Sequence, residues 1–262
     1  EWEIPRTPDG RPDLQGNWTN QSMTPISRRG DQALVYTPDQ VARIEQGYVD
    51  RTIAGAQASD PDRPPPPPKE TISAADSYNN VYFELGHKVA VVNGEPRSSL
   101  VMSPTDGRIP SLTDGARQRM IDRAKFRSQF SQYDHPELRP NAERCLVSFG
   151  SSAGPPMLPN YWYNNNYTIV QNAHYVMIMA EMVHDVRIIR LSDPEALGEE
   201  LRPWFGDSRG WYEGNTLVVE TTNINSDQEF LGIHPSADRK VTERFTRVDD
   251  ETMLYEFTIN DP

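Results

Sequence analysis

Apolar and polar positions change their rhythm twice along the chain. From Thr37-Pro38-Asp39-Gln40 the spacing is helical: threonine can cap, proline suits the first helical position and Gln40 completes a capping box. The helix this predicts runs to about residue 57, and Val41, Ile44, Tyr48 and Ile53 form only a modest apolar stripe. From Val81 the pattern becomes strand-like in VYFEL, HKVAVVNG and RSSLVMSP, with Asn93-Gly94 and Thr105-Asp106-Gly107 as turns. Thr113 can cap a second helix through about Ser131, carrying Met120, Ile121, Ala124, Phe126 and Phe130 among basic residues. After CLVSF and the loop GSSAGPPMLPN the chain is persistently β in character: YTIVQN, HYVMIMAEMV, DVRIIRL, NTLVVETTN, KVTERFTRV and TMLYEFTI. Connections this short predict an antiparallel meander, curled into a barrel or folded over as a sandwich.

Irregular segments set the domain organisation. Residues 1 to 36 are rich in turn signals, and Asp60 to Arg63 followed by the five prolines 64 to 68 reads as a polyproline II spacer. Residues 1–70 are therefore expected to be an N-terminal arm with one helix, wrapped on a β-rich domain spanning 71–262. The 38 acidic against 26 basic residues leave a net charge of −12, which disfavours nucleic acid and anionic membrane as partners. No run of about 18 apolar residues is present to cross a membrane. The first residues, EWEIPRTPDG, lack the parts of a signal peptide, so the expectation is a mature, exported protein whose leader has been removed. The single cysteine, Cys145, excludes an internal disulfide in this segment and is expected to be a small buried hydrophobe.

The stretch EMVHDVRIIR, residues 181–190, concentrates the candidate chemistry. Counting by two from Tyr175 puts Met177, Met179 and Glu181 on one face, with Val176, Ile178, Ala180 and Met182 on the other. A bend near His184-Asp185 must reset the register. Asp185, Arg187 and Ile189 then lie opposite His184, Val186, Ile188 and Arg190. Charges in so apolar a setting need partners, because an unpaired buried ion costs several kcal/mol. Two readings stay open. One is a structural ion-pair cluster closing a barrel end. The other is a site with His184 as acid/base, Asp185 or Glu181 orienting it, and Arg187, Arg190 or Arg209 holding an anionic group. Glu181 and His184 have Glu-x-x-His spacing, but the strand context removes its di-metal meaning, so neither metal nor cofactor is expected. Gly150 to Gly154 matches G-x-S-x-G by chance, since Pro155-Pro156 follows where a helix is required. Trp162, Tyr163 and Asn165 combine aromatic faces with amides and suit a sugar or a flat organic molecule. Residues 206–215 read mostly as turn chemistry with an internal Asp/Arg pair, and Glu220, Glu243, Arg244 and Glu256 face either the same interior as His184 or solvent.

The segments PRTPDGRPDLQGNW, DGRIPSLT, GPPMLPNYWYNNNYTIVQ, EMVHDVRIIRL, GDSRGWYEGNTLVVETTN and ERFTRVDDETMLYEFTINDP together resemble a family of secreted, uncharacterised bacterial proteins. The resemblance spans nearly the whole chain. It implies export to the periplasm or beyond, a lipocalin-like C-terminal meander, and further strand with a second cysteine after Asp261-Pro262. Two functions are in view. One is a barrel with a small-molecule pocket, acting as a hydrolase or lyase through acid/base residues. The other is a non-enzymatic subunit of an extracellular assembly, self-associating through its arm and an open terminal strand edge.

Overall fold

The computed structural model describes residues 2–58, 61–62, 83, 86–147, 154–157, 165–192 and 195–262. In chain order the elements are β1 (Gly16–Thr19), α1 (Pro38–Ala56), β2 (Val91–Val92), β3 (Glu95–Pro96), α2 (Asp114–Arg127), β4 (Asn166–Gln171), β5 (Tyr175–Ala180), β6 (Val186–Arg190), β7 (Asp207–Glu213), β8 (Thr216–Thr222), β9 (Lys240–Arg247) and β10 (Met253–Asn260). The chain is mainly β, and its dominant feature is a curled, half-barrel sheet of eight strands in the order β1-β4-β5-β6-β7-β8-β9-β10. Two compact units are distinguished: Glu1–Asn20, Ser111–Asn160 and Asn164–Pro262 form the first, and Gln21–Pro110 with Tyr161–Tyr163 the second.

Period-two burial builds the sheet. Val176, Ile178 and Ala180 of β5 are buried, as are Arg187 and Ile189 of β6, whereas Tyr175, Val186 and Ile188 are exposed. On β9 the inward row is Val241, Glu243 and Phe245, each fully buried, and Leu217 and Val219 of β8 lie beside them. Val176, Ile178, Ala180, Ile189, Leu217, Val219 and Phe245 join Leu14, Tyr167, Ile169 and Leu191 in one apolar cluster, with Trp18 and Tyr255 packed against it. Each large apolar side chain so buried contributes about 1.5–3 kcal/mol.

The meander is antiparallel at every junction but one. β6 and β7 run parallel, Ile189 opposite Ser208 and Arg190 opposite Arg209. The connection from Leu191 to Gly206 is long enough to loop out and return, so that β7 starts beside the last two residues of β6 and runs the same way, which a hairpin cannot do. Residues 207–213, read from sequence as turn chemistry, are thus a full strand. Two glycines make this possible. Gly206 holds φ +69° where a Cβ would meet the Thr222 carbonyl at 2.5 Å, and a Cβ on Gly210 would meet Ile189 Cγ2 at 2.7 Å. β7 then turns into β8 through Gly214-Asn215, with Gly214 at φ +61° where a two-residue hairpin needs it.

In the second unit, α1 carries the expected capping box: Gln40 N–H donates to the Thr37 hydroxyl and Gln40 Oε1 accepts from Thr37 N–H. The strands expected after Val81 shrink to the two-residue pair β2 and β3 around Asn93-Gly94. VYFEL lies outside the described residues except for Phe83. RSSLVMSP is not a strand because its serines bond elsewhere. Ser98 Oγ donates to the Ala33 carbonyl, and Ser99 Oγ lies 2.8 Å from the Ile26 carbonyl, replacing a ladder by local side-chain bonds. In the first unit α2 ends at the Ser128 cap, short of Ser131. Cys145 is exposed rather than buried, at φ +56° in a run of turns.

Candidate functional site

Arg187 on β6 and Glu243 on β9 are separated in the sheet by β7 and β8, yet their side chains meet. Neighbouring strands sit about 4.8 Å apart, so three steps along a flat sheet would put these strands roughly 14 Å from each other. The contact exists because the sheet curls. Guanidinium and carboxylate form a two-pronged pair, Nη1 to Oε2 and Nη2 to Oε1, the latter at 2.9 Å. Side-chain exposure is 1% for Arg187 and 0% for Glu243.

Around this pair the concave face is filled by the chain itself. Tyr255 on β10 donates its hydroxyl to Glu243 Oε1 at 2.8 Å and accepts from Met157 N–H at 3.0 Å. Tyr167 on β4 donates to the Met157 carbonyl at 2.9 Å, and Gln228 Nε2 donates to the Gly154 carbonyl at 3.1 Å. Gly154 sits so close that a Cβ there would lie 3.3 Å from Arg187 Cζ. Burial alone would lower the Arg187 pKa, but the facing carboxylate outweighs it and holds the guanidinium charged. Burial, together with the negative charge of Glu243, pushes the Tyr255 phenol well above its ordinary value. It therefore stays protonated and able to donate. Such a group is built to hold the curl. Arg187 Nε and Gln228 Oε1, both buried, have no hydrogen-bond partner among the described residues.

The other sequence-nominated residues do not converge on this pair. Glu181 is exposed and accepts from Asn166 Nδ2 at 2.9 Å. His184 is exposed at the turn between β5 and β6, where Val183 and His184 both take positive φ, 65° and 46°. Asp185, next in line, is buried. Arg190 donates to Asp207 Oδ1 at 2.6 Å, and Arg209 reaches Glu220 Oε1 at 3.3 Å, so the Asp207/Arg209 pair read within one turn is replaced by partners on neighbouring strands. Asn165 is buried and its carbonyl accepts from Asn20 N–H at 3.1 Å. Trp162 and Tyr163 lie outside the described residues, as do residues 150–153 of the G-x-S-x-G match. Among the described residues no three His, Cys, Asp or Glu side chains gather as metal ligands do, and no helix is long and apolar enough to cross a membrane.

A second feature lies at the last strand of the sheet order. β10 pairs along its whole length with β9, and among the described residues nothing pairs with its other side. Val248 N–H donates to the Thr252 carbonyl at the hairpin, which makes Leu254, Glu256, Thr258 and Asn260 the residues bonded to β9. The N–H and C=O groups of Met253, Tyr255, Phe257 and Ile259 therefore point to the open side. Natural edge strands are usually blunted by proline, lysine, a bulge or short length. β10 has none of these: it is MLYEFTIN, eight residues in unbroken register. The signal in the sequence was β-prone alternation with one charge. Only the strand order shows that it is an outer strand of the sheet among the described residues.

Comparison of the chain with protein-family models, curated proteins and solved structures gives no match.

Proposed function

We propose that this chain is a non-enzymatic subunit that joins a partner by strand addition at the outer edge of β10. The observation that carries this is the unblunted edge, with four residues whose outward backbone groups no described residue pairs, in a strand of high β propensity. A curl held by a buried ion pair supports the same reading, because it presents the edge on a stiff frame. With the resemblance to secreted proteins, the assembly belongs in the periplasm or outside the cell.

Light scattering over a dilution series tests this. The expected result is a species larger than one chain that dissociates on dilution. Ile259→Pro removes an outward N–H without touching the β9 ladder and should leave a monomer. A wild-type chain that remains monomeric up to about 1 mM and also takes up no added extended peptide overturns the proposal.

The turn between β5 and β6 favours a second reading. Val183 and His184 sit in left-handed backbone conformations that cost about 1–3 kcal/mol each, strain of the kind stored at ligand sites. On this reading a small organic molecule or sugar binds at the turn, with His184 moving protons beside Asp185 and Glu181. His184→Ala should then abolish binding or turnover found in a ligand panel while leaving the unfolding midpoint unchanged. Unaltered binding rejects it.

A further inference from the structure

We infer that α2 is a pH-released latch, held to the sheet by Arg123 and let go when the neighbouring His234 takes up a proton. α2 buries none of its residues. Apolar packing therefore does little to hold the helix, and its polar ties decide whether it stays. Among the described residues two of its side chains make polar contacts beyond residues 112–147. Arg119 Nη2 donates to the Pro262 carbonyl at 3.2 Å and lies 3.7 Å from Asp261, and Arg123 Nη2 donates to Asp227 Oδ1 at 2.8 Å.

Asp227 belongs to the connection between β8 and β9, residues 223–239. Its backbone is fixed on both sides: Asn141 Nδ2 donates to its carbonyl at 2.8 Å, and its N–H donates to Asn225 Oδ1 at 2.9 Å. This aims the carboxylate at α2. His234 closes the same connection, with Nδ1 at 3.2 Å from the carbonyl of Ser226, the residue before Asp227. A carbonyl only accepts, so Nδ1 carries the proton of the neutral ring. Nε2 then turns a lone pair toward Glu229 Oε2 at 3.7 Å, two acceptors with no proton between them.

Charging the ring upsets this arrangement. Arg123 faces it from α2, and Asp227 and Glu229 face it from the connection itself. Arg239 donates to the carbonyl of the adjacent Ile233, its own charge met by Asp261. Burial of the ring, then the Arg123 cation, holds the His234 pKa below its ordinary value, and the two carboxylates do not overcome them. The latch is therefore complete above about pH 6.5 and is lost as pH falls through the lower folded value. A charged ring does best by turning out to water and toward Glu229, whose side chain is 57% exposed. Ser226 and Asp227 move with it, and Asp227 leaves Arg123.

Hydrogen exchange followed by mass spectrometry tests this, with labelling times scaled to the intrinsic pH dependence of amide exchange. Between about pH 7.5 and about pH 5, protection of α2 should fall several-fold while that of β8 and β9 holds. His234→Gln cannot take up a proton and should keep α2 protected at both pH values. A fall of the same size in His234→Gln overturns the latch, and so does a fall shared by β8 and β9. Equal protection of wild-type α2 at both pH values, or none at the higher, overturns it as well. Where His234→Gln fails to fold or loosens α2 throughout, Glu229→Gln decides. It removes a carboxylate that favours the charged ring, so the release midpoint should move to lower pH, and an unmoved midpoint overturns the latch.

Discussion

Removing one half of the Arg187–Glu243 pair should cost far more than removing both. Arg187→Met leaves Glu243 with no exposure to solvent and one remaining donor, the Tyr255 hydroxyl at 2.8 Å. An uncompensated buried charge of this kind destabilises by about 3–5 kcal/mol. In a chain of 262 residues that corresponds to a fall in Tm of roughly 6–20 °C. Replacing both groups, Arg187→Met with Glu243→Leu, removes the charge and the need to desolvate it; Tyr255 keeps the Met157 N–H as a partner. The double variant should recover most of the loss and lie within about 1 kcal/mol of the wild type. Urea unfolding followed by tryptophan fluorescence, with the slope m held as a check on the unfolded state, measures the cycle. Additive losses in the double variant, or a single-variant cost below about 1 kcal/mol, would refute the view that the pair is buried and mutually dependent.

Other outcomes follow from the same geometry. Gly210→Ala puts a Cβ 2.7 Å from Ile189 Cγ2 and should destabilise by about 1–3 kcal/mol, read by thermal melting, through strain at the parallel junction. Burial alone would raise the Asp261 pKa, but hydrogen bonds from Ser236 and the Arg239 guanidinium outweigh it and hold it below its ordinary value. Its contribution is therefore complete above the unfolded value of about 3.9 and is lost as pH falls through the lower folded value; Asp261→Asn should flatten the acid limb of a stability–pH curve below about pH 4, and an unchanged limb would contradict this.

What the sequence disclosed depended on the range of the signal. The alternation Val176, Ile178, Ala180, then a break, then Arg187 and Ile189 was legible because burial in a strand repeats every second residue, and the structure buries those residues. The capping box at Thr37 was legible because it is completed within four residues. β7 was missed because Gly206 and Gly210, which admit the close approach of β6 and β8, look locally like turn residues. Glu243 could be flagged as an acid in an apolar strand, but its partner lies 56 residues away and across two intervening strands. Tyr255 and Tyr167 gave no signal at all: each reads as an ordinary aromatic in a strand, and its hydroxyl acquires a role only where the Met157 backbone arrives.

The pair across the curl also acts as a check on assembly of the sheet. A slip of β9 by one residue against β8 would turn Glu243 outward and bring Thr242 or Arg244 inward. Arg187 would then be sealed in with a hydroxyl or with another cation, an error of several kcal/mol from a single contact. Hydrophobic residues at Val241 and Phe245 would tolerate exchange for one another far better than this. The ion pair thus rejects mispaired sheets that greasy side chains alone would let pass.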